Sequence, residues 1–176
     1  MERTGVVTFK GNGVTLLGNP VTVGDKAPDF TALDKGLGAV KLSDFKGKTR
    51  VISVTPSLDT AICDTQLRRF NEAAAKLGDD VTMINVSMDL PFAIGRFCTT
   101  AGIDHAVTLS DHRDASFGQA YGVLIKELRL LARAVFVVDA QDVVRHAEIV
   151  PEVGSHPDYD EAIAAASPAP ALSLRT

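Results

Sequence analysis

The sequence predicts an α/β protein with a central mixed β-sheet and helices on both faces. Runs rich in β-branched residues alternate with segments whose apolar residues recur at helical spacing. The chain starts with two β-favouring runs around a glycine-rich turn, and near its end two more such runs flank a short polar turn. Alternating strands and helices followed by a hairpin are typical of one sheet that is covered by helices.

The first half of the chain predicts a hairpin, a buried strand and a helix. The turn Gly11-Asn12-Gly13 separates two apolar runs, which predicts a β-hairpin over about 6–17. Glycine and proline residues predict a largely irregular segment at 24–48. The β-branched residues at 50–55 favour a buried strand. Apolar residues on one helical face then predict a helix over 64–77.

The second half continues the alternation of strands and helices. Apolar, β-branched runs predict strands at 81–87, 106–109, 132–138 and 143–150. Helical spacing, with a proline suited to a first turn, predicts helices at about 91–100, 116–121 and 157–166. Because the sequence contains neither an internal repeat nor a second apolar core, we expect residues 1–176 to form a single domain. We expect the tail at about 167–176 to be frayed.

The composition excludes several classes of protein. The 176 residues carry a net charge of −4 and contain no basic run. The sequence therefore lacks the cluster of positive charge typical of proteins that bind a nucleic acid or an anionic membrane. No segment approaches the 18 or so consecutive apolar residues of a membrane span. The N-terminus lacks the basic and apolar regions of a secretory signal. We therefore expect a cytoplasmic protein with no nucleic-acid and no membrane partner.

The cysteine count restricts the chemistry further. The only two cysteines are Cys63 and Cys98, which excludes a disulfide-rich scaffold, a four-cysteine zinc site and an ordinary iron–sulfur cluster. The four histidines are scattered without metal-ligand spacing, and we expect them on the surface or in loops. Two interpretations of the cysteines remain: inert buried thiols, or a redox couple.

The surroundings of Cys63 favour a reactive thiol. The stretch 55–64 joins a predicted buried strand to a predicted helix, so Cys63 falls near the first turn of that helix. Free N–H groups and the dipole at a helix N-terminus favour an anion there, and the thiolate is the nucleophilic form of cysteine. The hydroxyl of Thr60 can face the sulfur, and Pro56 would rigidify the loop and shield the thiolate from water. The alternative is a small buried apolar residue.

The sequence also carries a set of longer motifs. Pro56, Thr60 and Cys63 form the pattern PxxxTxxC. Further strings follow in order: DLPFA at 89–93, RFC at 96–98, SFG at 116–118, YGV at 121–123, LARA at 131–134 and VPE at 150–152. Together they resemble the bacterial thiol peroxidase branch of the peroxiredoxin family, the atypical two-cysteine peroxiredoxins. The resemblance runs from about Val6 to about Ala166.

This resemblance implies a thioredoxin-like fold with an N-terminal hairpin extension. It implies that Cys63 is the peroxidatic cysteine and Cys98 the resolving cysteine, which form an intramolecular disulfide after their helices partly unwind. Thr60 and Arg133 would complete the peroxide site, and Pro56 would shield it. The implied substrates are hydrogen peroxide and organic hydroperoxides, with thioredoxin as reductant. A homodimer without metal, haem or flavin is also implied.

Two of these residues have a structural alternative. Arg133 stands inside an apolar run that predicts a strand, where a buried cation needs an anionic partner. That partner is either a carboxylate in a structural ion pair or the anion that forms during peroxide reduction. Cys98 is either core filler or the resolving thiol. Asp59 and Asp64 flank the cysteine motif and can cap its helix.

Two other functions use the same fold. A peroxide sensor would relay its disulfide to a client protein, and a binding domain would keep both thiols inert. The intact set of Pro56, Thr60, Cys63 and Arg133 favours the enzyme. The chain departs from the family at Ala61, where proline is common, and at Lys126–Leu130, which replaces a glycine-containing segment.

Overall fold

Two β-sheets are present in the computed structural model, which describes residues 1–167. The strands are β1 (Glu2–Phe9), β2 (Asn12–Leu17), β3 (Thr31–Leu33), β4 (Ala39–Lys41), β5 (Thr49–Val54), β6 (Val81–Ser87), β7 (Ala106–Ser110), β8 (Leu124–Ile125), β9 (Leu130–Leu131), β10 (Ala134–Val138) and β11 (Val144–Ile149). The larger sheet has the order β11-β10-β5-β6-β7-β3-β4, and the smaller has the order β1-β2-β8-β9. Strands β5, β6 and β7 run parallel, whereas the other pairs are antiparallel.

Helices α1, α2 and α4 each have one end at a residue suited to that position. They are α1 (Ala61–Leu77), α2 (Pro91–Ala101), α3 (Ser116–Ala120) and α4 (Tyr159–Ala166), with a 3-10 helix at Leu42–Phe45. Gly78 ends α1 at a φ of 84°, a conformation that favours glycine. Pro91 is the first residue of α2. Proline suits this position because an N–H group in the first turn has no helical acceptor in any case. The carboxylate of Asp158 caps α4 by accepting the N–H of Glu161 at 3.0 Å.

The larger sheet separates two apolar layers. On one face α1 and α4 pack over side chains such as Val51 and Met83, and α2 packs against α1 near Leu67. On the opposite face the hairpin and α3 cover Ile52 and Ile84. Neighbouring residues of a strand point to opposite faces, so β5 and β6 are buried on both sides. Both cysteines therefore lie on the face that carries α1, α2 and α4.

The predicted α/β architecture is confirmed, with three differences in detail. The hairpin starts at Glu2 and pairs with β8, so it belongs to a second sheet that the sequence did not predict. Helix α1 starts at Ala61, three residues earlier than expected. The prediction that Arg133 lies inside a strand was wrong, because the chain leaves β9 after Leu131 and enters β10 at Ala134. The apolar run is continuous there, so the sequence does not reveal the change of sheet.

The predicted frayed tail lies outside the described residues from position 168 onward. Within residues 1–167, no helix has the length and apolar character to cross a bilayer.

Candidate active site

Cys63 is the third residue of α1 and is fully buried. The loop that follows β5 turns at Ser57, whose carbonyl accepts the N–H of Thr60 at 3.2 Å. Helix α1 then starts, and its first hydrogen bond runs from the N–H of Asp64 to the carbonyl of Thr60. The N–H groups of a first helical turn have no helical acceptor, so they favour negative charge at the Cys63 sulfur.

Arg133 joins Cys63 to two other parts of the chain. Its guanidinium is only 2% exposed and reaches the site from the segment before β10. Nη2 donates to the Sγ atom of Cys63 at 3.3 Å, Nη1 donates to the Gln66 side chain at 2.9 Å, and Nε donates to the carbonyl of Val153 at 2.9 Å. The three contacts point in different directions and fix the plane of the guanidinium.

Gln66 is a site residue that the sequence analysis missed. It lies one turn after Cys63 on the same helical face and is fully buried. Its Oε1 atom accepts from Arg133, and its Nε2 atom donates to the Ser53 hydroxyl at 2.8 Å and the Val54 carbonyl at 3.2 Å. These two acceptors at the end of β5 fix which way the amide points. The available signal was a polar residue three positions after Cys63 on an otherwise apolar face.

The charge of Arg133 is balanced by no carboxylate within the described part of the chain. The interpretation of Arg133 as one half of a structural carboxylate pair was therefore wrong. Gln66 and Val153 offer neutral oxygen acceptors, and Cys63 is the ionisable group that the guanidinium contacts. A buried cation is costly without an anion, so Arg133 is placed to stabilise negative charge that develops at the Cys63 sulfur.

The other residues of the PxxxTxxC pattern line the loop before α1. Pro56 is buried, whereas Thr60 is exposed and is the residue before the first helical turn. The Thr60 hydroxyl donates to the carbonyl of Ser57 at 3.0 Å, not to the Cys63 sulfur. The expected capping by Asp59 or Asp64 is wrong, because Thr60 occupies the cap position and Asp64 pairs with Arg68. The Thr60 side chain itself accepts no hydrogen bond from the N–H groups of the first helical turn. Arg133 therefore contacts Cys63, whereas the Thr60 side chain bonds within the loop before α1.

Cys98 is a free thiol on α2, in an apolar cluster with Leu58, Leu67, Ile94 and Ile103 that does not include Cys63. It is 3% exposed, and its Sγ atom lies 3.4 Å from the hydroxyl of Thr108 in β7. Arg133 adjoins β10, and two strands lie between β10 and β7 in the sheet. Three strand spacings place these backbones about 14 Å apart. The two sulfurs therefore contact separate regions and form no disulfide in this conformation.

Tyr159, the first residue of α4, lies near Cys63 and Arg133. Its ring packs 5.5 Å from that of Phe70, and the Arg69 guanidinium lies 4.0 Å from its centroid. Burial raises the pKa of the Tyr159 hydroxyl above its usual 10.0, and Cys63 acts in the same direction, against the effects of Arg69 and Arg133. Tyr159 therefore remains a neutral phenol beside the site at physiological pH.

Comparison with known proteins identifies the family. A family model described as Redoxin matches residues 22–163. The chain belongs to the redoxin family. The thiol peroxidases of Halalkalibacterium halodurans and Bacillus subtilis are 62% and 59% identical to this redoxin, over 93% and 91% of its length and 98% and 95% of theirs. The crystal structure of a peroxiredoxin-like protein from Aquifex aeolicus is 41% identical with a TM-score of 0.84, covering 92% of this chain and 94% of that one.

These relatives confirm three predictions about the redoxin. The resemblance to the peroxiredoxins is confirmed, and so is the thioredoxin-like fold. The redoxin is an enzyme, a thiol-dependent peroxidase. The roles of Pro56, Thr60, Cys63, Cys98 and Arg133 remain predictions.

The histidines of the redoxin differ in one case from expectation. His105, His112 and His156 lie in connecting segments, as expected. His146 instead lies in β11 opposite Val137 and is only 7% exposed, so its expected surface or loop position was wrong. Among residues 1–167, no three His, Cys, Asp or Glu side chains are grouped closely enough to hold a metal ion.

Proposed function

We propose that Cys63 reduces hydrogen peroxide and organic hydroperoxides, and that Cys98 resolves the oxidised product. One observation carries the proposal: the buried Arg133 guanidinium lies 3.3 Å from the Cys63 sulfur. No carboxylate within residues 1–167 pairs with this guanidinium. A buried cation that contacts a single ionisable thiol stabilises a thiolate, which is the nucleophile that peroxide reduction requires.

The first step is attack of the Cys63 thiolate on the terminal oxygen of the hydroperoxide. A sulfur–oxygen bond forms while the oxygen–oxygen bond breaks, and its electron pair leaves on the second oxygen, which takes a proton to become water or an alcohol. Cys63 loses two electrons and becomes a sulfenic acid. Negative charge is spread over two oxygens in the transition state, where the donors of Arg133 and the free N–H groups of α1 stabilise it.

Pro56 and Thr60 act on the loop around this step. Pro56 is buried and shields the thiolate from bulk water. The Thr60 hydroxyl donates to Ser57 and keeps oxygen lone pairs free to accept a hydrogen bond from the hydroperoxide. We assign these roles to Pro56 and Thr60 because the PxxxTxxC pattern resembles that of the peroxiredoxins.

The second step joins Cys98 to Cys63. The Cys98 sulfur attacks the Cys63 sulfenic acid, a disulfide forms, and the sulfenic oxygen leaves as water. A disulfide needs Cα atoms within roughly 7 Å, whereas here the Cys63 sulfur contacts Arg133, the Cys98 sulfur contacts Thr108 in β7, and both thiols are free. The start of α1 and helix α2 must therefore open.

The catalytic cycle closes by thiol–disulfide exchange with an external dithiol. The dithiol transfers two electrons and two protons, which restores both cysteines. From the family resemblance, we assign thioredoxin as this reductant and a cytoplasmic homodimer as the working form.

Two cysteine variants test the proposal. Cys63→Ser should abolish peroxide turnover, because serine offers no thiolate. Cys98→Ser should consume one peroxide per chain and then stall as the Cys63 sulfenic acid, which mass spectrometry and a sulfenic-acid probe detect. A fully active Cys63→Ser variant would end the proposal. Poor turnover with thioredoxin, together with a stable mixed disulfide to one client protein, would favour the peroxide sensor instead.

A further inference from the structure

Asp89 lies between the two cysteine-bearing helices. It follows β6 and immediately precedes Leu90, which caps α2. Its carboxylate accepts the hydroxyl of Ser57 at 2.8 Å, the N–H of Leu58 at 2.8 Å and the hydroxyl of Ser87 at 2.9 Å. Hydrogen bonds to a charged carboxylate are stronger than those between neutral groups, so this is a firm junction.

One side of the junction leads to Cys63. The Ser57 carbonyl accepts both the N–H and the hydroxyl of Thr60, the residue that precedes α1. Asp89 thereby holds the turn that fixes the start of α1 and the position of Cys63 in its first turn. Loss of the Asp89 contacts would leave the Ser57 hydroxyl and the Leu58 N–H without acceptors and loosen this loop.

The other side leads to Cys98. Asp89 adjoins the first turn of α2, and its own carbonyl accepts the hydroxyl of Ser110 at the end of β7. Leu58, whose N–H the carboxylate binds, packs in the same apolar cluster as Cys98. The carboxylate therefore connects the loop of one cysteine with the helix of the other.

We infer that Asp89 is a latch, a positioning residue that holds both cysteine segments in the closed form and sets the fate of the Cys63 sulfenic acid. The inference rests on the proposed function. In the closed form Cys98 is held away, and a second hydroperoxide oxidises the sulfenic acid. A second sulfur–oxygen bond then forms, the oxygen–oxygen bond breaks, water or an alcohol leaves, and a sulfinic acid remains. In the open form Cys98 forms the disulfide instead.

The latch predicts that two measured quantities decrease together in an Asp89 variant. Asp89→Asn keeps the shape of the side chain but loses its charge and one acceptor oxygen, so the open form becomes more populated. The first attack on peroxide should slow about tenfold, and the ratio of sulfinic acid to disulfide should fall about tenfold, as expected for loss of one charge-assisted hydrogen bond. The rate is measured on the reduced protein with hydrogen peroxide. The ratio is measured by mass spectrometry at a peroxide excess at which the wild type forms both products.

Asp34→Asn is the matched control. Asp34 also accepts two loop N–H groups, from Gly36 and Gly38 at 2.9 and 2.8 Å, but it lies between β3 and β4. This variant should change neither quantity more than about twofold. If Asp89→Asn folds poorly, Ser57→Ala removes a single latch contact and should shift the product ratio in the same direction by less.

The outcomes separate the latch from the function it serves. A wild type that forms no Cys63–Cys98 disulfide would overturn the proposed function. A wild type that forms the disulfide, with an unchanged or increased sulfinic ratio in Asp89→Asn, would overturn the latch alone. A purely structural role for Asp89 would lower the active fraction and leave the product ratio unchanged.

Discussion

At the scale of single residues, Arg133 makes the polar side-chain contact to the Cys63 sulfur on which the proposed chemistry depends. Its flat guanidinium offers donors in fixed directions, which it uses on Gln66, Val153 and Cys63. Two of these contacts anchor the group before any peroxide arrives. The third contact is to the Cys63 sulfur. In the proposed first step, negative charge moves from this sulfur to the oxygen that leaves. Anchored donors stabilise a transition state without having to reorganise.

Replacement of this side chain should therefore slow the first step. Arg133→Met should lower the rate constant for attack on peroxide by on the order of 10²-fold, as for loss of a donor to a developing charge. The rate is followed on reduced protein mixed with hydrogen peroxide, and circular dichroism checks that the variant is folded. Arg133→Lys keeps the charge without the fork, so its rate should fall between the two. An unchanged rate in Arg133→Met would remove Arg133 from the site.

The site residues that the sequence could predict are those in local motifs. Cys63 and Arg133 stand in strings that can be read directly from the chain, and the structure brings them together. Gln66 and Asp89 act through contacts with distant segments, which a single sequence does not contain. Thr60 also stands in a local motif, but the motif did not predict its hydrogen bond. Its hydroxyl donates to the Ser57 carbonyl and does not bond to the Cys63 sulfur.

At the scale of elements, the N-terminal hairpin supports the active-site arginine. Thr8 in β1 donates its N–H to the Pro151 carbonyl at 2.8 Å and accepts the N–H of Val153 at 2.9 Å. The Val153 carbonyl in turn accepts Nε of Arg133. Glu152 strengthens the junction, because its carboxylate accepts the N–H of Gly11 at 2.8 Å. The hairpin is thus coupled to the site through one short segment.

Acid should weaken this junction in a defined pH range. The N–H groups of Gly154 and Gly11 hold the pKa of Glu152 below its usual 4.5, against the effect of partial burial and with further help from Thr8. Because the folded-state pKa is lowered, ionised Glu152 stabilises the fold above its unfolded pKa, and this contribution is lost as the pH falls through the folded-state pKa. Glu152→Gln should therefore melt at a lower temperature than the wild type near neutral pH.

The difference in melting temperature between Glu152→Gln and wild type should disappear well below pH 4.5, where the wild-type carboxyl is protonated as well. Glu72→Gln removes an exposed carboxylate of α1 and should melt like the wild type at each pH. A gap between Glu152→Gln and wild type that persists in strong acid would contradict this account.

Strands with a clear sequence pattern were predicted more accurately than strands without one. Strand β6 has the predicted bounds because the polar pair Asp79 and Asp80 directly precedes its β-branched run. Strand β8 was missed because two residues carry no periodicity, and its pairing with β2 is a tertiary contact. The strand through Arg133 was predicted too long because two sheets meet inside one apolar run.

At the scale of the whole molecule, the two cysteines lie on the same face of the large sheet but contact different parts of it. Cys63 faces Arg133 beside β10, whereas Cys98 faces Thr108 in β7. The opening that we propose for disulfide formation would expose part of the cluster that contains Cys98, Leu58 and Leu67, while the layers around the central strands stay packed. Regions with few cross-contacts open at a lower free energy than the core strands, so one part of the fold can open alone.

Hydrogen exchange should map this local opening. After oxidation to the Cys63–Cys98 disulfide, amides in the first turns of α1 and throughout α2 should exchange faster than in the reduced protein. Strands β5 and β6, which are buried on both faces, should keep their protection and serve as the internal control. Equal protection of α1 and α2 in both redox states would show that the disulfide forms without opening.

The central claim is that Cys63 and Cys98 are a peroxidatic couple within one chain. It is tested most directly by titrating free thiols after one equivalent of cumene hydroperoxide is added to reduced protein, with mass mapping of the product. We predict that both thiols disappear within seconds and that the peptides of Cys63 and Cys98 are found linked within one chain. Two unreacted thiols in folded, reduced protein would contradict the claim and favour a binding domain with inert cysteines.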